Sequence, residues 1–462
     1  MNQELQGSCR MKGRGAREYR KEIIKIAWPA ILESLVNVIV TSIDTRMISP
    51  LGKSAVSAVS LTSQPKLFFF SIFFALGTAG SIFVSQALGK RDAERANRYF
   101  HAVLRTGFFL SVVMGVLFYF LADPIMRLCS RQTETIDTSV AFFRIIMCFM
   151  VFQTVSIILN AALRGIGKTR VTFISGIFMA VGDIVVNYLL IEGHFGFPAL
   201  GVIGDAIGTV AGSAAACAFS IYYLIRHSDF LSLKGLMNIR ALPPEYRKDI
   251  RSKAGNIVLE NLFTRIGFLL SSFVVSGLPA DRTSVYFVAM ILLNYTFAFG
   301  DGLQSAVVTL TGRSVGAGQL EEGKTYFKQI CLISCVISGI LSLVYIFGAR
   351  WYYGIFFADP NAVSEGAGYN YVVAALTVLQ ILRIVIVGAM RGTGETKIPR
   401  TMALLCVLFI NPTLSFLLAE WMGIGVWGIW YATLITQAVW FVMSLVWGRK
   451  CLNRIQEGRQ DG

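Results

Sequence analysis

Five stretches of this chain run for 19 to 28 residues without one charged side chain: Leu67–Gly89, Ile145–Leu163, Gln329–Ala349, Thr401–Ala419 and Trp421–Gly448. A bilayer's hydrocarbon core is about 30 Å thick, and about 20 apolar helical residues cross it. In lipid each backbone amide must be bonded within its own segment, so such stretches fold as helices. Allowing one or two interior charges extends the reading to twelve spans, at 23–48, 56–88, 100–121, 137–162, 170–191, 201–225, 253–276, 283–311, 326–348, 367–389, 398–419 and 424–448. The expected fold is all-α, a polytopic membrane protein. Hydrophobic residues make up 55% of the chain and charged residues only 15%. So few charges could not cover a soluble surface, which excludes a disordered chain, a disulfide scaffold and most soluble enzymes.

The net charge of +15 would suggest nucleic acid in a soluble protein, but the placement of the charges says otherwise. Of 42 Lys and Arg residues, 31 lie in the tails and in the loops on one side, five lie on the opposite side and six lie within spans. By the positive-inside rule both termini and the long central loop are cytoplasmic, and nucleic acid is not an expected partner. Residues 1–22 form a basic tail without the apolar stretch of a signal peptide. The eight Cys form no CxxC pair and the three His are scattered, so neither a disulfide framework nor a metal site is expected.

Shifted by 227 residues, the chain matches itself. Ala27, Leu32, Glu33 and Leu35 fall on Ala254, Leu259, Glu260 and Leu262; Gly89, Glu94, Tyr99 and Phe100 fall on Gly316, Glu321, Tyr326 and Phe327. Arg164-Gly165-x-Gly167-x-Thr169 falls on Arg391-Gly392-x-Gly394-x-Thr396. Each copy holds six spans, and an even number keeps both copies in one orientation, so the two lobes are expected to be pseudo-symmetric about an axis along the membrane normal. The expected division is a tail (1–22), an N-terminal lobe (23–225), a cytoplasmic linker (226–252), a C-terminal lobe (253–448) and a second tail (449–462). In the RGxGxT segments the glycines suit a tight turn with positive φ, the threonines suit helix caps, and the arginines are expected to face cytoplasmic headgroups. No strand precedes these segments and no GK[ST] follows at the spacing of a phosphate loop, so they are not phosphate loops.

Pro29-x3-Glu33 leading to Ile43-Asp44-Thr45, Val84-Ser85-Gln86-Ala87-x-Gly89, Leu163-Arg164-Gly165-x-Gly167-x-Thr169 and Gly201-Val202-x-Gly204, with their repeated copies, resemble the multidrug and toxic compound extrusion (MATE) family. The resemblance covers nearly the whole chain. It implies twelve helices in two lobes and the export of small organic, often cationic, compounds in exchange for H⁺ or Na⁺. It also implies a cation site in the N-terminal lobe, built from an Asp in the first span, an Asn/Asp pair in the fifth and a Thr in the sixth. Here the fifth-span pair runs Asp183 then Asn187, the reverse of the family order. A branch of the family with a Glu deep in the seventh span would carry it where this chain has Thr264, so the resemblance is to the DinF-like branch.

Ionisable residues inside a membrane are functional candidates by default. The first lobe carries Glu33, Asp44, Lys66, Asp183, Asn187 and Asp205 within its spans. Asp183 and Asn187, at i and i+4, share a helical face, as Glu33 and Asp44 roughly do. Asp44, Asp183, Asn187 and Thr209 are the expected cation-coupling set: Na⁺ prefers several oxygen ligands. A buried carboxylate pair in low dielectric does not tolerate two charges, so a proton or Na⁺ relieves it. Each residue also has a plainer reading. Asp44 could pair with Arg46 or Lys66, Asp183 and Asn187 could bond between helices, and Thr209 could bond its own backbone. Glu33 and Glu260 recur in both lobes, which favours a shared structural pairing, but they remain candidates with Lys66, Gln380 and Arg383 for the cavity or for coupling. Arg265, Asp301, Gln380 and Arg383 are read as candidates for structural pairs; the alternative for Arg383 is that it favours an anionic or zwitterionic substrate.

The expected function is thus a monomeric, multi-pass cell-membrane antiporter with a small-molecule substrate, the lipid bilayer as its other partner and no cofactor beyond the coupling ion. The main rival is a lipid-linked oligosaccharide flippase of the same superfamily. A facilitator-type transporter is disfavoured by the repeated motifs, and a membrane enzyme by the absence of HExxH or a clustered triad.

Overall fold

A computed structural model describes residues 15–129, 133–227, 230–236, 244–278 and 280–457. The described chain is helical almost throughout. Eleven helices are long and apolar enough to cross a bilayer, and a twelfth span is a pair, Thr135–Cys148 and Met150–Gly165, bent by 48°. In chain order the spans are Ala16–Ile48, Lys53–Gly89, Ala93–Cys129, this bent pair (its first helix starting at Thr133), Thr169–Leu190, Val202–His227, Pro244–Ser276, Ala280–Gly316, Leu320–Phe347, Pro360–Thr393, Lys397–Trp421 and Val426–Glu457. Several exceed the expected bounds. The first begins at Ala16, within the segment read as a tail. The seventh begins at Pro244, within the expected linker, and the twelfth runs to Glu457, beyond the expected end of the second lobe. The second, third and eighth spans have 37 residues each. At 1.5 Å per residue these are about 55 Å long, well beyond the hydrocarbon.

Large apolar side chains on the outside follow helical spacing. On the third span Phe109, Val113, Val116 and Phe120 are all exposed, a lipid-facing stripe. Inside, Phe70, Phe73, Phe100, Phe142 and Phe143 fill the first lobe, and Tyr353, Tyr369 and Trp430 the second. A third apolar cluster joins the lobes, with Ile23, Ile26 and Ile31 of the first span against Leu303, Val307 and Leu310 of the eighth and Tyr326 of the ninth.

Packing repeats as the sequence does. The first span packs on the eighth and the second on the seventh; the first packs on the fifth, and the seventh on the eleventh; the second packs on the fourth, and the eighth on the tenth. The second and eighth spans cross each other at the end of the bundle that carries the chain termini. A Cβ on Gly89 would lie 2.0 Å from the Arg313 carbonyl oxygen, and one on Gly316 would lie 1.9 Å from that of Gln86. Gly89 and Gly316, like Gln86 and Arg313, are 227 residues apart, so the crossing is itself two-fold.

The same end is tied by polar contacts between the lobes. Arg313 donates to Glu22 at 2.6 Å, and the Tyr326 hydroxyl donates to Glu22 at 2.5 Å. The counterpart is the Tyr99 hydroxyl on Asp249, at 3.3 Å. Gln86 donates to the Gly392 carbonyl at 3.0 Å and Thr309 to the Arg164 carbonyl at 2.8 Å. Further along the bundle the lobes touch where Gly302 lies against Ile31 and where Asn261 donates to the Ser71 carbonyl at 3.3 Å. Beyond these contacts Asn37, Thr41, Ser57, Ser60, Gln64, Arg265 and Asp301 are exposed. The lobes are therefore sealed at the terminus-bearing end and parted, with a polar lining, toward the other.

The RGxGxT segments depart from two expectations. Gly167 and Gly394 have φ of 80° and 93°, as the tight turn requires. The threonines are not side-chain caps: the fifth span is preceded by Lys168, and the Thr396 hydroxyl accepts from Asn256 at 3.1 Å. Nor do the arginines reach outward. Arg164 pairs with Glu33 at 2.8 Å and Arg391 with Glu260 at 2.9 Å. Gly165 and Gly392 explain why. A Cβ at Gly165 would lie 2.8 Å from the Ser81 carbonyl oxygen and one at Gly392 3.0 Å from that of Val308. This tight seating draws each motif into its lobe and its arginine to the repeated glutamate.

Candidate cation-coupling site

The fifth and sixth spans approach closely because the sixth presents Gly204, Gly208 and Gly212 one turn apart on one face. A Cβ on Gly204 would lie 2.7 Å from the Leu190 carbonyl, and one on Gly212 2.5 Å from that of Met179. A Cβ on Gly208 would lie 1.9 Å from the Asn187 side-chain oxygen. Small residues at this spacing let two membrane helices pack backbone to backbone. Asp183 and Asn187, one turn apart on the fifth span, are thereby pressed against the start of the sixth, and the first span lies alongside.

Three carboxylates converge on one amide. Asn187 Nδ2 lies 3.1 Å from Asp183 Oδ1, 3.2 Å from Asp44 Oδ1 and 3.2 Å from Asp205 Oδ1. A primary amide has two N–H groups, so it cannot satisfy all three carboxylates at once. The amide oxygen, packed against Gly208, has no hydrogen-bond partner. Lys66 of the second span interacts electrostatically with all three aspartates, yet among the described residues it forms no direct ion pair. Three carboxylates against one ammonium leave two negative charges in excess. Asp183 and Asp205 are buried, whereas Asp44 is half-buried with Thr41 and Thr45 exposed beside it. The cluster thus has one face toward the hollow between the lobes. Among the described residues no group of three or more His, Cys, Asp or Glu is arranged to hold a metal ion; the carboxylates surround an amide nitrogen rather than a common point.

Asp44, Asp183 and Asn187 come together as expected. Asp205 joins them, and Thr209, one turn further along the sixth span, is half-buried with no hydrogen bond to the group. Asp205 was visible as an intramembrane acid, but its partners were not; the signal was the Gly204-x3-Gly208-x3-Gly212 run that sets the helix crossing. Asp44 does not pair with Arg46. Glu33 is not part of this group: it is held by Arg164 and by the Thr172 hydroxyl at 2.6 Å. Glu260 is likewise committed to Arg391, whose other contact is Gln304 at 3.1 Å. In the second lobe Arg383 is buried, donating to Gln437 at 3.0 Å and lying 3.7 Å over the Trp440 ring. Gln380 is buried with its amide nitrogen unpartnered. Of the four candidates for structural pairs, Arg383 has such partners, whereas Arg265 and Asp301, both exposed, form no direct ion pair among the described residues.

Comparison with known proteins follows the same two-fold pattern. The family described as MatE matches residues 29–189 and again 257–417. The chain is 23% identical over 421 residues to a probable multidrug resistance protein NorM of Thermotoga maritima, covering 89% of this chain and 88% of that one. It is 22% identical over 443 residues to an uncharacterized transporter, YisQ, of Bacillus subtilis, covering 94% of each. Among solved structures it superposes on a crystal structure of MATE in the bent conformation with a TM-score of 0.87 at 18% identity, covering 96% of this chain and 99% of that one. It also superposes on an outward-facing multidrug resistance MATE family transporter with a TM-score of 0.87, again at 18% identity, over 95% of this chain and 97% of that one.

Proposed function

The chain belongs to the MatE family of membrane transporters, and on that premise we propose that it exports small organic, cationic compounds in exchange for H⁺ or Na⁺, with coupling centred on Asp44, Asp183, Asp205 and Asn187. The observation that carries the reading is the excess of carboxylates around the single Asn187 amide. In low dielectric such a group is tolerable only with added positive charge. A proton on one carboxylate, or a Na⁺ among the aspartate oxygens and a turned Asn187 amide, supplies it.

The cycle follows from geometry and charge. With both termini in the cytoplasm, as the 31-to-5 distribution of Lys and Arg favours, the sealed end faces inward and the hollow outward. A coupling ion entering from outside neutralises the cluster. The lobes, residues 23–225 and 253–448 joined by the linker, then rock about their seam, parting the contacts of Glu22 and Asp249. Inside, the ion leaves and a cationic substrate becomes the alternative counter-charge. Since both neutralise the same carboxylates, they occupy the lobe in turn, and exchange results. The placement of the acids in the first lobe, with Thr264 in the seventh span, supports the DinF-like branch. Nothing in the site requires a second copy of the chain, so we place the unit of function in the monomer.

The test is export of a cationic dye from reconstituted vesicles under separately imposed pH and Na⁺ gradients. Wild type is expected to accumulate dye uphill with one gradient, and Asp44→Asn and Asp183→Asn to lose that accumulation. Uphill export at the wild-type rate by both variants would overturn the assignment. A protein that ignores the dye and moves a lipid-linked sugar would be a flippase instead.

A further inference from the structure

We propose that Lys66 of the second span is a counter-charge built into the coupling site, which competes with the coupling ion for Asp44, Asp183 and Asp205 and so sets how readily that ion is released. The inference rests on the transport reading above and deepens it from the site to its regulation.

The four charged side chains act on one another across four spans, the first, second, fifth and sixth. Lys66 interacts electrostatically with Asp205, Asp183 and Asp44, and among the described residues it is the one cation that acts on each of them. The repeat shows what kind of residue this is. Charged pairs that hold the fold recur in both lobes, as Glu33–Arg164 does in Glu260–Arg391. Lys66 does not recur. The shift of 227 sets Leu293, a buried core residue, at its place and Ser271 at that of Asp44. Where the acid is lost the lysine is lost with it, so Lys66 belongs with the acids and not with the frame.

Its geometry suits a counter-charge that moves. Lys66 is half-buried, and among the described residues it forms no direct ion pair with the aspartates it acts on. Its ammonium rides on a flexible four-carbon stem. Pro65, directly before it inside the second span, cannot donate to the carbonyl four residues earlier, which loosens the helix at the root of that stem. The three carboxylates are held more firmly, all within hydrogen-bond distance of the one Asn187 amide. The ammonium can therefore advance onto the acids as an ion departs and draw back as an ion or a substrate arrives. Three acids alone would attract a cation from outside but would hold it as strongly inside, where it must leave. A tethered positive charge opposes that attraction at every step and takes the place of the departing ion.

The experiment measures the initial rate of dye export from reconstituted vesicles against the concentration of the ion whose gradient drives it, Na⁺ or H⁺. The readout is the half-saturating concentration of that ion, which does not depend on the folded fraction. Lys66→Met leaves three negative charges in excess. It is expected to lower the half-saturating concentration at least about tenfold, with a slower maximal rate because the ion is released more slowly. Lys66→Met combined with Asp205→Asn leaves two in excess, as in wild type, and is expected to return the value to within about threefold of wild type. Lys66→Arg keeps the charge and is expected to lie closer to wild type than to Lys66→Met, which a merely structural role for the lysine would not produce. A half-saturating concentration in Lys66→Met equal to or above that of wild type overturns the proposal, as does a double variant no closer to wild type than Lys66→Met. In either case, with wild type exporting dye under the gradient, the inference fails while the transport reading stands. If wild type moves no dye under either gradient, the transport reading fails and takes the inference with it.

Discussion

The two lobes share a frame but not a chemistry. Where Gly204 of the sixth span seats against Leu190 and Ile191, Gly428 of the twelfth seats against Leu418 and Ala419. That contact fixes which positions correspond. Asp44 becomes Ser271, Asp183 becomes Asn411, Asn187 becomes Ser415, Asp205 becomes Ile429 and Lys66 becomes Leu293. Asn411 donates to Ser271 at 3.0 Å, so the places of Asp183 and Asp44 are joined directly in the second lobe, with every charge removed. By contrast Glu33–Arg164 and Glu260–Arg391 persist at 2.8 and 2.9 Å, and the glycine crossings and acid–tyrosine contacts persist beside them. What both lobes keep holds the helices in place. What only one lobe keeps is where we propose that an ion is exchanged.

The largest effect expected from this contrast is on coupling. Asp44→Asn and Asp183→Asn should reduce gradient-driven accumulation of dye to that of protein-free vesicles. Ser271→Ala and Asn411→Ala, at the corresponding places, should keep the rate within about a factor of two, the scale of an ordinary polar deletion. An Asn411→Ala variant that uncouples as fully as Asp183→Asn would dissolve the contrast.

Next in size is the shared ion pair. Removing one partner of a buried pair leaves the other charge uncompensated, at about 3–5 kcal/mol. The Arg391 side chain is 11% exposed and that of Arg164 28%. Arg164 can therefore recover some solvation that Arg391 cannot. Glu260→Gln should lower the thermal unfolding midpoint of purified protein more than Glu33→Gln. Equal shifts would mean that the two pairs sit in equivalent dielectric surroundings after all.

A third effect concerns Gly208, whose counterpart by the same correspondence is already Ala432. A methyl group 1.9 Å from the Asn187 oxygen displaces the Asn187 side chain and with it the amide shared by the three carboxylates. Gly208→Ala should cost about 1–3 kcal/mol of stability by overpacking and weaken coupling with it. Ala432→Gly should cost at most about 1 kcal/mol, as a helix-propensity change alone. Unfolding midpoints and dye export measured on both variants separate the two outcomes.

Much of this was legible in the residues. Charge-free runs can only be spans, and a constant offset exposes the repeat, so twelve helices in two lobes follow from composition and spacing. Asp44 and Asp183 were recognisable because acids inside spans are costly, and Asn187 because it shares a helical face with Asp183. Two things were hidden. Asp205, not Thr209, completes the group, because the depth at which the sixth span crosses the fifth is decided by three glycines and not by the polar residues themselves. The match between Asp183 and Asn411 is hidden by a single-residue slip. The eleventh span passes through a π-helical stretch at Leu404–Ile410, which inserts a residue and moves the correspondence from 227 to 228. A strict shift of 227 places Ile410 opposite Asp183 and conceals that Asn411 and Ser271 occupy the places of Asp183 and Asp44. Arg164 and Glu33 are 131 residues apart, beyond any local pattern; only their joint recurrence in both copies connected them.

The smallest expected effect lies at the seal, where the two copies differ by degree. Glu22 takes Arg313 at 2.6 Å and the Tyr326 hydroxyl at 2.5 Å, whereas Asp249 takes the Tyr99 hydroxyl at 3.3 Å. Charge-assisted bonds are worth about 1.5–3 kcal/mol when intact and less where solvent screens them, as at this partly exposed end. Glu22→Gln removes the charge facing Arg313 and should shift the equilibrium between sealed and open ends about tenfold toward open. Asp249→Asn leaves a carbonyl that still accepts from Tyr99 and should shift it less than about twofold. Distances between spin labels on the loops after the second and eighth spans report both populations. Equal shifts in the two variants would mean that the seal depends on the crossing at Gly89 and Gly316 and not on the acids. The asymmetry that governs coupling would then stop at the site and leave the gate symmetric.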